Sequence, residues 1–343
     1  MTSAILASVS GERLTSREAK VLAEMQPVGV SLFARNINNK KQLKKLTDSI
    51  KEVLGPEVII AVDQEGGRVR RLGEPEWPAY ASQYVLGKLP PQITKMHAAL
   101  IAQDLHEVGI NFNYAPVLDI ARRYTHEVLK SRCFSTRAAN CGKIMVKTYC
   151  RNGICPCIKH MPGHGRVETD PHLGLPVLRG TMAELEKDIR PFRFNRLAPA
   201  GMTAHIVVEG VDDLPITMSA KGISELIRGR IGFDGLLITD AIEMKALKGS
   251  IAERSVRAWE AGCDVICYCR GDITELEELR DLDLRLTKDG ERRLEKVREI
   301  IGGEQTDFVD YADYASAVGE VEAYQDSYDA TEVLNRMNSG KGR

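Results

Sequence analysis

Eight short apolar runs recur along the 343 residues, and most of them do not alternate strictly between apolar and polar side chains. They are Ala4–Ser8, Gly29–Ala34, Val58–Asp63, Asn111–Leu118, Ile154–His160, Met202–Ile206, Leu236–Asp240 and Asp264–Cys269. Runs of this length, rich in Val, Ile and Leu, suit strands buried on both faces, as in a parallel sheet. The segments between them carry helical signals. Thr15-x-x-Glu18 and Thr181-x-x-Glu184 read as capping boxes. Leu43, Leu46, Ile50 and Leu54 follow helical spacing with lysines on the opposite face, and Ile223, Leu226 and Ile227 repeat the pattern before Gly232. Strands alternating with helices predict an α/β fold, and eight strands favour closure into a single-domain (β/α)8 TIM barrel, with an open doubly wound sheet as the alternative. The chain exceeds the roughly 250 residues of a typical barrel but lies within the range that insertions allow. The expected barrel domain is residues 1–335, and residues 336–343 are expected to be a disordered tail.

Composition narrows the partners. There are 47 Lys plus Arg against 48 Asp plus Glu, a formal charge of −1, so no electrostatic case exists for nucleic acid or an anionic membrane. The first residues, Met1 to Leu14, lack a basic start followed by a long apolar run, and no stretch approaches the ~20 apolar residues of a membrane helix. A cytoplasmic location is the expectation. The eight cysteines are then expected as free thiols. Cys263, Cys267 and Cys269 lie in an apolar run without zinc-site spacing and read as buried small hydrophobes.

Several runs finish on a reactive residue. The third ends at Asp63, the fifth at Lys159-His160 and the seventh at Asp240, while the sixth contains His205. A barrel gathers the C-terminal ends of its strands at one mouth, where active sites sit. Taken singly, each residue has a structural explanation: a carboxylate caps the next helix, and a buried histidine is a satisfied core donor. Taken together they point to a site.

The segment Lys159–His172 holds three His, two Asp or Glu and one Lys within 14 residues, broken by two prolines and two glycines. Metal binding is the rival reading, but the helical H-E-x-x-H pattern is absent. Asp170 and His172 form an Asp-x-His pair in which the carboxylate fixes the imidazole tautomer and raises its basicity for proton transfer. Gly163 and Gly165, upstream of that pair, are candidate hinges for a loop that closes over substrate.

At these residues the sequence resembles family 3 glycoside hydrolases, in particular the single-domain bacterial β-N-acetylglucosaminidases of peptidoglycan recycling. Three motifs carry the resemblance: Ala61–Val69 with its Asp-Gln-Glu-Gly-Gly-Arg core, the Lys159–His172 loop, and Ile238-Thr239-Asp240-Ala241-Ile242-Glu243-Met244. It implies that Asp240 is the nucleophile of a retaining mechanism through a covalent glycosyl-enzyme. It implies His172 as acid/base, oriented by Asp170. Asp63, Arg71, Arg132, Lys159 and His160 would bind the sugar, with His205 a lesser candidate. The chain departs from the family where Thr239-Asp240-Ala241 replaces Ser-Asp-Asp and where Pro171 stands inside the Asp-x-His pair.

The resemblance implies removal of a terminal β-linked N-acetylglucosamine from a muropeptide fragment; a monomer is expected, and the preferred mechanism implies no metal or organic cofactor. The competing readings are a family 3 β-glucosidase or phosphorylase, an inactive saccharide-binding protein and a metal-dependent barrel hydrolase.

Overall fold

The computed structural model describes residues 2–122, 125, 127–166 and 175–322. Eight parallel strands form one sheet: β1 (Ser3–Ser8), β2 (Pro27–Leu32), β3 (Ile59–Val62), β4 (Phe112–Asn113), β5 (Cys155–Met161), β6 (Ala200–Thr203), β7 (Leu236–Ile238) and β8 (Ile266–Cys267). From β1 to β7 each pairs with the next in sequence, and β1 also pairs with β8 through Ile5↔Ile266 and Leu6↔Cys267. The ring closes between β7 and β8, where Ile238 bridges Val265 and Thr239 N–H donates to Val265 O at 3.0 Å. The sequence therefore folds as a (β/α)8 barrel, and the open doubly wound sheet does not form. All eight apolar runs supply a strand.

Every residue of these strands is buried. Burial on both faces is why the runs lack alternation: side chains of one face fill the barrel and those of the other pack under helices. The outer layer includes α1 (Ser16–Met25), α2 (Lys40–Leu54), α3 (Pro91–Glu107), α4 (Ala138–Arg151) and α5 (Met182–Phe194). Both expected capping boxes form, at Thr15/Glu18 and Thr181/Glu184. In α2, Leu43, Leu46 and Ile50 face the core. The π-helical segment Gly222–Ile231 buries Ile223, Leu226 and Ile227 and ends at Gly232 in the left-handed region, φ 74°.

The fourth run behaves differently from the rest. Only Phe112 and Asn113 pair as a strand, although the run extends to Leu118. Pro116 has no N–H to give the ladder. Its carbonyl still accepts from Lys159 N–H at 3.2 Å, and contact with β5 continues where Val117 bridges Lys159 and Leu118 N–H donates to Lys159 O at 2.8 Å.

The tyrosines near the C-terminus pack on the barrel as far as they are described. In the helix Tyr311–Glu322, the Tyr314 hydroxyl accepts from Ala81 N–H at 3.0 Å and lies 3.0 Å from His97 Nδ1, and the Tyr311 hydroxyl donates to Ala79 O at 2.7 Å. Tyr324, Tyr328 and the expected tail at 336–343 lie outside the described residues. Among the described residues no helix is long and apolar enough to cross a membrane.

Candidate active site

The C-terminal ends of the strands open on a cavity of about 320 Å³. Seven strands reach it: Phe33 follows β2, Asp63 follows β3, Tyr114 follows β4, Lys159 and His160 lie near the end of β5, Met202 lies in β6, Asp240 follows β7, and Cys267 lies in β8. Arg68 and Arg71 from the loop after β3, Arg132 from the loop after β4 and His164 after β5 add to its polar lining. The barrel thus gathers residues as distant in sequence as Phe33 and Cys269 around one cavity, as the strand-end reading expects.

One wall is an ion cluster. Lys159 Nζ donates to Asp63 Oδ1 at 2.8 Å and lies 2.7 Å from Glu65 Oε1. Arg71 Nη2 donates to Asp63 Oδ2 at 3.1 Å. Arg132 grips Glu65 with both prongs of its fork, Nε to Oε2 at 2.9 Å and Nη2 to Oε1 at 2.8 Å. Burial alone would push both carboxyls up. For Asp63 the charges of Lys159 and Arg71 outweigh it, and for Glu65 those of Arg132 and Lys159 do, so both stay below the usual carboxylate range. Burial likewise disfavours the Lys159 ammonium, and Asp63 and Glu65 overcome it and raise its pKa. Neither carboxylate is placed to give or take a proton near neutral pH. The turn that brings Glu65 under Arg132 needs Gly66: its φ is +93°, and a Cβ there would stand 2.4 Å from Ala81 O.

The other wall carries Asp240. Its Oδ1 accepts from the Ala241 N–H at 2.8 Å. Burial pushes its carboxyl up, but the imidazoles of His160 and His205 and that N–H outweigh burial and hold it ionised. His160 Nδ1 lies 2.7 Å from Asp119 Oδ2, and Asp119 is fully buried. His164 lines the same wall, and burial pushes its imidazole down to about 4, so it is neutral at pH 7.

Most of the sequence-derived candidates meet at this cavity: Asp63, Arg71, Arg132, Lys159, His160 and Asp240 all line it. Two of Arg132's donors are already committed to Glu65, which leaves less of its fork for a sugar than the sequence suggests. His205 lies behind the wall: it is buried, its Nε2 is 2.9 Å from Ala241 O and its Nδ1 is 2.8 Å from Thr217 Oγ1. Both ring nitrogens are thus engaged, and His205 braces the backbone beside Asp240. Asp170 and His172 lie outside the described residues.

Gly163 and Gly165 have packing reasons of their own. Gly163 adopts φ +130°, and a Cβ on Gly165 would stand 2.0 Å from Ile120 O. Backbone conformation at Gly163 and close approach to Ile120 at Gly165 each call for a glycine.

Three features escape the sequence reading. Glu65 sits inside the Asp63–Arg68 motif, but its partner Arg132 is 67 positions away. Asp119 directly follows the fourth run, so the rule applied to the other strand ends reaches it. Cys267 and Cys269 are not merely core hydrophobes; both line the cavity, with their sulfurs 3.5 Å apart. Among the described residues, no three His, Cys, Asp or Glu side chains are grouped to hold a metal ion.

The family "Glycosyl hydrolase family 3 N terminal domain" matches residues 4–299. The chain belongs to glycosyl hydrolase family 3. A β-hexosaminidase of Bordetella avium is 33% identical to this family 3 chain over 287 residues, spanning 79% of it and 82% of the relative. One of Alkalilimnicola ehrlichii is 36% identical over 283 residues, spanning 77% and 80%. The crystal structure of NagZ from Neisseria gonorrhoeae in complex with N-trifluoroacetyl-D-glucosamine matches with a TM-score of 0.80 at 32% identity, over 93% of this chain and 98% of that one. This family 3 chain is accordingly a glycoside hydrolase of the β-hexosaminidase type.

Proposed function

We propose that the chain is a retaining exo-β-N-acetylglucosaminidase that removes terminal N-acetylglucosamine from cytoplasmic muropeptide fragments, acting as a monomer without metal or organic cofactor. The muropeptide, N-acetylglucosamine linked to anhydro-N-acetylmuramic acid with or without peptide, follows from the resemblance of its motifs to the peptidoglycan-recycling enzymes. One observation carries the mechanistic reading. Among the described residues that line the cavity, Asp240 is the carboxylate without a Lys or Arg partner, while Asp63 is locked between two cations. An ionised, uncommitted carboxylate is what nucleophilic attack needs; a carboxylate held by cations is suited to accept hydrogen bonds from sugar hydroxyls.

In the first step an oxygen of Asp240 attacks the anomeric carbon as the glycosidic C–O bond breaks, and the leaving oxygen takes a proton from His172. In the second, His172 removes a proton from water, the water oxygen attacks the anomeric carbon, and Asp240 leaves. Asp63 and Glu65, held in their ionised forms, do not compete with His172 for the acid/base role. The segment 167–174 contains Asp170 and His172, and it connects Arg166 to Val177–Leu178, which pairs with Val207–Val208 beside the barrel mouth.

The test is hydrolysis of a chromogenic β-N-acetylglucosaminide beside the β-glucoside, with and without phosphate, by the wild type and Asp240→Ala. Cleavage of the N-acetylated substrate by the wild type alone supports the proposal. Preference for the glucoside, or release of sugar 1-phosphate, would reassign the activity within the family. Absence of cleavage by folded wild-type protein would leave a saccharide-binding protein in its place.

A further inference from the structure

The segment after β4 is laid along the segment after β5 at several points. Asp119 Oδ2 accepts from His160 Nδ1 at 2.7 Å and from the His160 backbone N–H at 3.3 Å, and its Oδ1 accepts from the His164 N–H at 2.6 Å. Ile120 O abuts Gly165, and the Thr125 hydroxyl donates to Gly165 O. Beyond that, Arg122 Nη2 and Arg166 Nε both reach the buried Asp188, Arg122 at 3.2 Å. Among the described residues of this seam, Asp119 touches both the cavity-lining His160 and the start of the chain that leads to residue 167.

We propose that Asp119 is a positioning residue that fixes, with one carboxylate, the ring of His160 and the backbone at His164, on the chain that leads to His172. The inference rests on the function proposed above. With Nδ1 spent on Asp119, the Nε2 of His160 is the nitrogen left for the sugar and for the field acting on Asp240. The carboxylate does two jobs because it has two acceptor oxygens, each facing N–H groups. The amide of Asp119→Asn cannot replace it: whichever way that side chain is turned, its NH2 meets either the His160 donors or the His164 N–H.

The groups that face His160 are Asp119 after β4, Lys159 beside it in β5, His164 on the following loop, His205 after β6 and Asp240 after β7. Of these, Asp119 is the one in hydrogen-bond contact with the ring. Without that contact the ring of His160 is no longer fixed, and the imidazole that helps to hold Asp240 ionised loses its place. The Asp240 carboxyl would titrate higher, so the acid limb of the pH–rate profile would move to higher pH.

Two measurements test this. The first is nitrogen NMR of the histidine rings in the wild type from pH 5 to 8, with His160 assigned by comparison with His160→Gln. The expected result is a proton on Nδ1 of His160 throughout; a neutral His160 protonated on Nε2 alone overturns the inference. This readout is independent of activity, so it decides the Asp119–His160 link even where the wild type fails to hydrolyse a β-N-acetylglucosaminide and the proposed function falls. The second is the kinetics of Asp119→Asn, His160→Gln and the double variant on that substrate. Asp119→Asn is expected to lower kcat/KM roughly 10- to 100-fold with the acid limb displaced upward, and the double variant to lose less than the product of the single losses. Multiplicative losses with an unmoved acid limb would make Asp119 a purely structural residue and overturn the inference.

Discussion

The two walls of the cavity hold the same kind of side chain in opposite states of engagement. Asp63 and Asp240 both follow a barrel strand, both face the cavity and both are held ionised. Asp63 achieves this through ion pairs with Lys159 and Arg71, which occupy both of its oxygens. Asp240 achieves it through one backbone N–H and nearby imidazoles, with no cation in contact among the described residues. The first arrangement fixes a carboxylate as scaffold; the second keeps it charged yet available. The identity of the residue does not assign the role, and the partners do.

Exchange experiments sharpen that contrast. The largest effect is expected from Asp240→Asn, which removes the proposed nucleophile while keeping the side chain's shape. We expect kcat to fall by about 10³- to 10⁴-fold with little change in unfolding free energy, read by steady-state kinetics and denaturant titration. Glu65→Gln should do the reverse. It leaves Lys159 and Arg132 buried with less compensating charge, and the expected cost is about 3 kcal/mol of stability with folded protein keeping measurable turnover. Turnover lost as completely as in Asp240→Asn would break the division into scaffold and reactive walls.

The same wall predicts a pH dependence. Asp63 and Glu65 have folded-state values below their ordinary 3.8 and 4.5. Their contribution is therefore present above those ordinary values and is lost as pH falls through them toward the lower folded-state values, because the unfolded chain takes up the protons first. Unfolding free energy measured at pH 7, 5, 4 and 3 should drop most steeply below about 4.5, and Glu65→Gln should flatten that drop. The smallest effect is expected away from both walls. Tyr314→Phe removes the hydroxyl shared by His97 and Ala81 N–H, and should cost about 1 kcal/mol of stability with kcat unchanged.

The sequence was informative where a local pattern maps directly onto a place in the barrel. Runs without alternation mean strands buried on both faces, and the residue ending such a run lies at the mouth; Asp63, Lys159, His160 and Asp240 were legible for that reason. Glu65 was visible as part of a motif, but its pairing with Arg132 depends on two loops meeting in space. Asp119 stands just past a run interrupted by Pro116, where the end of the strand and the end of the apolar run no longer coincide. His205 shows the opposite error: its position in the run is right, but both ring nitrogens are engaged behind the wall. For Cys267, an apolar run buried on both faces gives no sign of which residues point to the axis, so a cavity-lining thiol reads like a core one.

The central claim is that Asp240 carries the glycosyl group. The most direct measurement is peptide mass spectrometry of enzyme quenched during turnover of a slowly released β-N-acetylglucosaminide. The account predicts one N-acetylhexosamine residue on the peptide containing Asp240, absent in Asp240→Asn. An adduct on a different residue, or a first-formed product sugar of inverted configuration, would contradict it.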